Sequence, residues 1–223
     1  MCGRYGLSID DAKKVYERFE IENKLYELKP RYNIAPAQMN PVVTTNSPNH
    51  IRLMFWGLIP HWAKDRKFAY KTINARSEGI DEKPTYKKPF QLQRCLIPAS
   101  GFYEWTKMKP ATPYYFELKD ISLFAFAGLY DVWKDPVDNQ DVYSYTIITT
   151  QANDVVSPVH HRMPVILQKE DEDFWLNPDV VEPERLLPLL KPYPSERMIS
   201  HPVSTRMNNP MIDDESLINE IDQ

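Results

Sequence analysis

The chain has 223 residues, of which 42% are hydrophobic and 26% are charged, and this balance is ordinary for a globular domain. A formal net charge of −4 accompanies 20 prolines and 6 glycines, so we expect rigid, extended connections to outnumber flexible hinges. No apolar run approaches the roughly 18 residues of a membrane span, no signal-peptide core follows the start, and two cysteines are too few for a disulfide framework or a four-cysteine zinc site. These features predict a cytoplasmic protein without a membrane partner.

The first predicted element is a helix from Ser8 to about Glu22. Ser8 is a suitable N-cap, and Asp10 and Asp11 suit the positive end of the helix dipole in the first turn. The helix has few apolar residues, so we expect it to cover a core rather than to form one. An extended segment follows at residues 30–36, where two prolines restrict the backbone.

Most of the remaining chain predicts strands, because stretches rich in β-branched and aromatic residues alternate with turn residues such as those at 46–49. The predicted strands lie at residues 41–45, 51–58, 94–98, 113–118, 123–133, 143–150, 163–167 and 201–203. Short helices are predicted at residues 84–92, 170–176 and 183–190.

The order of these elements predicts the fold class. No regular strand–helix–strand alternation is present, so a parallel, doubly wound sheet is not expected. We predict a single α+β domain over residues 1–223, with a mainly antiparallel, barrel-like sheet and short peripheral helices. The polar tail after about residue 207 is expected to be loose.

The two halves of the chain differ in charge. Residues 1–100 carry 17 basic and 10 acidic side chains, whereas residues 101–223 carry 10 basic and 21 acidic ones. The segment 52–94 holds ten of the basic side chains, and residues 59–73 within it form a predicted loop that mixes basic and aromatic residues. Such a region is typical either of a polyanion-binding face or of a solvated basic surface.

The cysteine at position 2 could combine two reactive groups. If Met1 is removed, Cys2 carries both a thiol and a free α-amine, and an α-amine with a pKa of roughly 7.7–8.0 is partly unprotonated near neutral pH. Such an amine attacks aldehydes, and the β-thiol can then close on the imine to form a five-membered ring. The alternative is a buried, inert structural cysteine.

Three further stretches carry candidate catalytic side chains. Asn74 and Arg76 are two residues apart and share one side of an extended chain. Glu104 has aromatic neighbours, and desolvation there should raise its pKa toward neutrality, although it could equally cap or pair at a strand end. His160 and Arg162 share a loop between two prolines, where the histidine could transfer protons or be held by backbone groups.

The sequence favours no cofactor or metal. It contains no Gly-rich phosphate loop and no Gly-x-Ser-x-Gly motif. His160 and His161 are adjacent, so their side chains point apart, and no cysteine or carboxylate lies nearby at ligand spacing.

Six short motifs occur in a fixed order along the chain. They are Met1-Cys2-Gly3-Arg4-Tyr5, Arg31-Tyr32-Asn33-Ile34-Ala35-Pro36, Phe55-Trp56-Gly57-Leu58-Ile59-Pro60, Ile73-Asn74-Ala75-Arg76-Ser77-Glu78, Gly101-Phe102-Tyr103-Glu104-Trp105 and His160-His161-Arg162-Met163-Pro164. Each motif is modest by itself, but the ordered set is specific. The series resembles that of the SRAP family, the SOS-response-associated peptidases, from residue 2 to about residue 206.

The resemblance implies an enzyme that acts on single-stranded DNA containing an abasic site, whose ring-opened sugar exposes an aldehyde. The Cys2 amine would condense with C1′ to a Schiff base, and the thiol would close a thiazolidine that shields the lesion as a DNA–protein crosslink. Glu104 would act as general acid and base, and His160 would protonate the sugar ring oxygen or stabilise the opened form. Asn74 would orient the thiol or the sugar hydroxyl. A bare Schiff base also permits β-elimination, so the resemblance implies weak lyase activity.

The resemblance also implies a DNA-binding surface. Three arginines match family positions that contact phosphates beside the lesion, two aromatic residues are candidates for stacking on bases, and two polar residues are candidates for DNA backbone contacts. In chain order, this set is Arg4, Asn33, Trp62, Tyr70, Arg76, Thr149 and Arg162. We expect a monomer without cofactors, associated with the nucleoid when it is bound to DNA.

Two other functions fit the same residues. A cysteine peptidase would use Cys2, Glu104 and His160 on peptides, with self-removal of Met1 as its minimal activity. A non-covalent reader of damaged or modified DNA would use the basic and aromatic residues and would not need Cys2.

Overall fold

A computed structural model describes residues 2–9, 12–23 and 28–221. The strands are β1 (Arg4–Leu7), β2 (Arg31–Ile34), β3 (Met39–Thr44), β4 (Ser47–Trp56), β5 (Asn74–Arg76), β6 (Arg94–Ala99), β7 (Gly101–Trp105), β8 (Pro113–Leu118), β9 (Phe124–Lys134), β10 (Asp141–Gln151), β11 (Arg162–Pro164) and β12 (Met198–Pro202). The α-helices are α1 (Ala12–Arg18), α2 (Lys87–Leu92), α3 (Lys169–Leu176) and α4 (Pro183–Leu186). Short 3-10 helices span Arg66–Lys71, Leu187–Leu189, Ser195–Arg197, Thr205–Asn208 and Glu215–Ile218.

Five strands close a barrel in the order β10-β4-β3-β6-β9, because β9 pairs again with β10. All pairings in this ring are antiparallel except that of β10 with β4. Gly128 in β9 permits the close approach of its neighbours, since a Cβ atom there would lie 2.2 Å from the Cδ1 atom of Ile97. The predicted α+β class with a mainly antiparallel, barrel-like sheet is confirmed.

A second, five-stranded antiparallel sheet packs against this barrel in the order β12-β8-β7-β1-β2. The ring of Tyr5 in β1 makes edge contacts with Trp56 of β4 and Phe126 of β9, at centroid distances of 5.1 and 5.7 Å. The Tyr5 hydroxyl lies 2.9 Å from that of Tyr145 in β10. Each such ring pair contributes about 0.5–1.5 kcal/mol beyond the area it buries, so β1 is held firmly on the barrel.

Strand β10 extends past the closed part of the barrel. Its residues 147–149 pair in parallel with β5, and its residues 149–151 pair with β11. Both short strands carry candidate functional residues. The end of β10 therefore brings the segments 74–76 and 162–164 together.

A buried arginine anchors two helices on the barrel. The side chain of Arg94 donates to the carbonyl oxygens of Phe90, Trp175 and Asn177 at 3.1, 2.7 and 2.6 Å. These acceptors lie at the C-terminal ends of α2 and α3, where backbone carbonyls lack partners within the helix. Burial lowers the pKa of Arg94 to about 10, so it remains charged at neutral pH.

Several boundaries differ from the sequence predictions. The first helix is limited to α1, and the positions Asp10 and Asp11, like Met1, lie outside the described residues. The turn predicted at 46–49 is wrong in its bounds, because the turn between β3 and β4 lies at residues 45–46 and β4 already begins at Ser47. Proline is tolerated at position 48 since that end of β4 is exposed. A strand at residues 4–7 was not predicted.

The tail after residue 207 is packed rather than loose. It includes a 3-10 helix at Glu215–Ile218, and the side chains of Met207 and Leu217 are fully buried. Both side chains pack with Tyr103 and Tyr115 of the second sheet. The tail therefore forms part of the surface beside β1 and β2.

In the described part of the chain, no helix has the length and apolar character that a bilayer crossing requires.

Candidate active site

The pairing of β1 with β7 brings the start of the chain to Glu104. Arg4 lies opposite Tyr103 and Tyr5 lies opposite Phe102 in this antiparallel pair. The same register, continued by one residue, sets Gly3 opposite Glu104. Cys2 is fully buried, so its side chain lies inside the protein beside the strand that carries the carboxylate.

The Cys2 thiol is protonated at neutral pH. Its Sγ atom donates to the carbonyl oxygen of Arg4 at 3.6 Å. Burial raises the pKa of the Cys2 thiol far above its usual value, and the negative charge of Glu104 raises it further. The site therefore does not supply a preformed thiolate.

Glu104 has the protonation behaviour expected of an acid–base group. The residue is 3% exposed, and desolvation raises the pKa of Glu104 to about 7. The sequence prediction of a desolvated carboxyl group is thus confirmed. Because this pKa lies near neutral pH, both protonation states are well populated there, and the group can accept and return a proton.

His160 lies beside this carboxyl group. Its Nδ1 atom is 3.8 Å from Oε1 of Glu104 and 3.0 Å from the backbone nitrogen of Arg162, which donates to it. Nδ1 also lies 3.1 Å from the carbonyl oxygen of Arg162, so it accepts from the amide in one neutral tautomer and donates to the carbonyl in the other. Desolvation lowers the pKa of His160, which favours the neutral ring.

Asn74 connects β5 to the start of the chain. Its side-chain nitrogen donates to the carbonyl oxygen of Cys2 at 2.8 Å. Its Oδ1 atom is buried and accepts no hydrogen bond from the residues that the structure describes. Unused buried acceptors are rare in proteins, and a thiol, amine or hydroxyl donor would satisfy this one.

Two residues from the predicted DNA-binding set, Asn33 and Arg4, contact the tail. Asn33 is fully buried, and its side-chain nitrogen lies 2.8–3.1 Å from the carbonyl oxygens of Met207, Asn209 and Ile212. Its Oδ1 atom accepts from Arg4 at 2.7 Å. Asn33 therefore has no donor left for DNA, and we assign it a positioning role under Arg4. Arg4 also donates to the carbonyl oxygen of Met207 at 2.9 Å.

Arg162 is held by β10 and by a carboxylate. Its Nη2 atom donates to the carbonyl oxygen of Thr149 and lies 3.3 Å from the Thr149 hydroxyl. Its Nη1 atom lies 2.5 Å from Oε1 of Glu78. Thr149 is fully buried, so it supports Arg162 and presents no surface to DNA, whereas Arg76 is exposed on the adjacent strand.

The aromatic candidates form a separate patch. Trp62 and Tyr70 are 50% and 70% exposed, and the Trp62 ring packs edge-on against Phe68 at 5.3 Å. A shallow cavity of about 400 Å³ beside Trp62 is lined in part by Lys64, Lys67 and Lys71. The same loop is fixed to β9, where Asp131 accepts from His61 and the Trp133 indole donates to Ala63.

The structure thus brings Cys2, Asn74, Glu104 and His160 into one buried cluster, with Arg162 at its edge. Sequence reasoning missed the role of Glu78, although the residue stands in a quoted motif two positions after Arg76. Among the described residues, no three His, Cys, Asp or Glu side chains are arranged to hold a metal ion.

Comparisons with known proteins identify the family of the chain. A family model described as SOS response associated peptidase (SRAP) matches residues 1–210. The abasic site processing protein YoqW of Bacillus subtilis is 44% identical over 223 residues and covers 98% of this chain and 99% of its own. The abasic site processing protein HMCES of Gallus gallus is 32% identical over 214 residues, covering 81% of this chain and 63% of its own. A crystal structure of a Bacteroides thetaiotaomicron protein superposes with a TM-score of 0.87 at 30% identity, over 97% of this chain and 99% of that chain.

Proposed function

The chain belongs to the SRAP family, and on that premise we propose that it processes abasic sites in DNA by covalent attachment through Cys2. The observation that carries the proposal is the buried cluster in which Glu104, with a pKa raised by burial to about 7, stands beside Cys2 and His160. The relatives named above are abasic site processing proteins, and an abasic site in its ring-opened form is an aldehyde.

The first step frees the amine. Hydrolysis of the Met1–Cys2 peptide bond consumes one water and leaves Cys2 with an α-amine. Self-removal of Met1 is consistent with the peptidase name of the family. Ionised Glu104 then takes a proton from the terminal ammonium, which makes the amine nucleophilic.

The second step forms the crosslink. The amine nitrogen attacks C1′ of the aldehyde, and Glu104 in its acid form protonates the hydroxyl that leaves as water. The thiol adds to the resulting C=N bond, its proton passes to the nitrogen, and a thiazolidine ring closes. A protonated thiol is suited to this step, because its hydrogen is needed on the ring nitrogen.

Two neighbouring side chains assist these steps. In the tautomer that carries its proton on Nε2, His160 donates from Nε2 to the sugar ring oxygen as the C1′–O bond opens, while its Nδ1 atom accepts from the Arg162 backbone. Asn74 holds the Cys2 backbone with its amide nitrogen, and its unused Oδ1 atom accepts from the thiol or from a sugar hydroxyl. Arg4, Arg76 and Arg162 bind phosphates on either side of a single-stranded substrate, and Trp62 or Tyr70 stacks on a base.

A general cysteine peptidase is less well supported. Peptidases of this kind need a thiolate, which a nearby base or positive charge stabilises. Here the thiol donates to a backbone carbonyl, which cannot remove its proton, and burial raises the pKa of Cys2. The attack of a neutral amine on an aldehyde has no such requirement.

A lyase side reaction also follows from the mechanism. If the Schiff base does not close to a ring, slow β-elimination cleaves the DNA strand.

The test uses a single-stranded oligonucleotide with one abasic site. We expect a covalent product that survives denaturation, with the mass of protein lacking Met1 plus DNA minus one water. A tetrahydrofuran analogue, which has no aldehyde, is the matched DNA control, and Cys2→Ala is the protein control. Both should give no product. Cleavage of unrelated peptides without a DNA adduct would support the peptidase. A non-covalent reader would form no adduct even as the unmodified protein, and its Cys2→Ala variant would bind the lesion undiminished.

A further inference from the structure

We propose that Glu78 is an intramolecular competitor for the DNA phosphate at Arg162, and that its carboxylate leaves the guanidinium when DNA binds. The inference rests on the proposed function, because it assumes that Arg162 faces a substrate phosphate. It concerns selectivity: Glu78 would weaken the binding of undamaged single strands, which are held by non-covalent contacts alone.

The two partners of this ion pair differ in exposure. The Arg162 side chain is 7% exposed, whereas that of Glu78 is 53% exposed. Thr149 in β10 holds the Nη2 atom of the arginine through two oxygens. The guanidinium is therefore fixed, while the carboxylate can rotate into solvent at little cost, as is usual for exposed acidic side chains.

Arg162 also has an unused donor. Its Nε atom is buried and has no hydrogen-bond partner among the residues that the structure describes. A buried guanidinium with an unused N–H is uncommon, and it indicates that an acceptor is missing. Because Nε shares an edge of the guanidinium with Nη2 and not with Nη1, a phosphate would accept from Nη1 in place of Glu78, and Nε takes no part in that contact.

The surroundings of Glu78 stabilise a negative charge. The hydrogen bond from Arg162 lowers the pKa of Glu78, and the charges of Arg162 and Arg76 lower it further. Glu78 is thus ionised at neutral pH and lies within the field of two predicted phosphate-binding arginines. A carboxylate and a phosphate repel each other there, so one must leave for the other to bind.

The alternative is that Glu78 is a permanent anchor that orients Arg162 for DNA. The two roles have opposite consequences. Removal of a competitor tightens binding, whereas removal of an anchor weakens it. The exposed carboxylate and the buried, independently held guanidinium favour the competitor.

The decisive variant is Glu78→Gln, which keeps the side-chain shape and removes the charge. Its affinity for an undamaged, fluorescently labelled single strand is compared with that of the unmodified protein at about 50 and 200 mM salt. We expect a tightening of roughly three- to fivefold at low salt that diminishes at high salt, because screening weakens the Glu78–Arg162 ion pair that the phosphate has to displace.

The matched control is Glu182→Gln. Glu182 is a carboxylate of similar exposure, at 46%, and pairs with Arg185 outside the candidate site. Both substitutions change the net charge equally, so a shift shared by the two variants would reflect overall charge and would overturn the proposal. Unchanged or weaker binding by Glu78→Gln would also overturn it.

Two further measurements test whether the gain requires Arg162 and whether the proposed function holds. In an Arg162→Gln background, Glu78→Gln should give no gain, since the competition it relieves is absent; a persistent gain would contradict the mechanism. Crosslinking of the unmodified protein to the abasic-site oligonucleotide is run in parallel. Failure of that reaction rejects the proposed function, whereas normal crosslinking with no effect of Glu78→Gln rejects only the competitor role.

Discussion

The side-chain nitrogen of Asn74 donates to the backbone carbonyl of Cys2 at 2.8 Å. This bond joins β5, which is held by the end of β10, to the segment in front of β1. Cys2 is therefore positioned from two sides, by the β1–β7 pairing and by Asn74. Residues near a chain terminus are often poorly ordered, and this bond restrains the backbone of Cys2.

We expect Asn74→Ala to slow crosslinking by about tenfold or more. The variant loses the bond to Cys2 and the unused Oδ1 acceptor, and each neutral hydrogen bond is worth roughly 1 kcal/mol. Single-turnover rates with the abasic-site oligonucleotide measure the effect. Asn49→Ala, an exposed position on β4, is the control and should react at the normal rate. An equal rate for Asn74→Ala would remove Asn74 from the mechanism.

The crosslinking rate should rise with pH through about 7. Ionised Glu104 is needed to take the proton from the terminal ammonium, and burial raises the pKa of Glu104 to about 7. In Glu104→Gln we expect a rate about 100-fold lower at pH 7, which is typical of lost general acid–base catalysis. Its remaining pH dependence should follow the α-amine, near a pKa of roughly 8. A profile that is identical in both proteins would contradict this role.

The same carboxyl group should make the protein less stable at high pH. A glutamate in an unfolded chain has a pKa of roughly 4.3, while burial raises the pKa of folded Glu104 to about 7. Between these values the folded state binds more protons, so the free energy of unfolding falls as pH rises from about 4 to 7. Glu104→Gln lacks this loss, and we expect it to be more stable by up to roughly 3 kcal/mol at pH 8.

Denaturant unfolding at pH 5 and pH 8 checks that expectation. The difference in stability between Glu104→Gln and the unmodified protein should grow from pH 5 to pH 8. A difference that is constant with pH, or that shrinks, would show that the folded carboxyl group does not titrate near 7.

Asn33→Ala should release the tail from the second sheet. The variant removes the donor that reaches three tail carbonyls and the acceptor that holds Arg4. Because these carbonyls would lose a buried partner, we expect a destabilisation of about 2–4 kcal/mol. Hydrogen exchange should increase over residues 205–213. If exchange increases there and DNA affinity also falls, Asn33 acts through Arg4; unchanged exchange would contradict the positioning role.

The strands were predictable where local pattern and tertiary environment agree. Residues 113–118 include three consecutive aromatic residues, which favour a strand, and β8 has these bounds. The short β1 was not predictable, because four residues do not establish a period and its pairing partners lie about 30 and 100 positions away. The turn at 46–49 was wrong because turn residues such as Asn, Ser and Pro also occur at the exposed end of a long strand.

The sequence by itself determined which groups are chemically capable: a cysteine at position 2, an acid among aromatic residues, and an amide, a histidine and arginines in ordered motifs. Residue type and near neighbours suffice for that, as the pKa of Glu104 illustrates. Only the tertiary structure decided which of them meet and which remain available. Asn33 and Thr149 are buried as supports, and Glu78 pairs with Arg162 across 84 positions. Such contacts depend on strand register and on burial, which arise from pairings between distant segments and leave no local pattern.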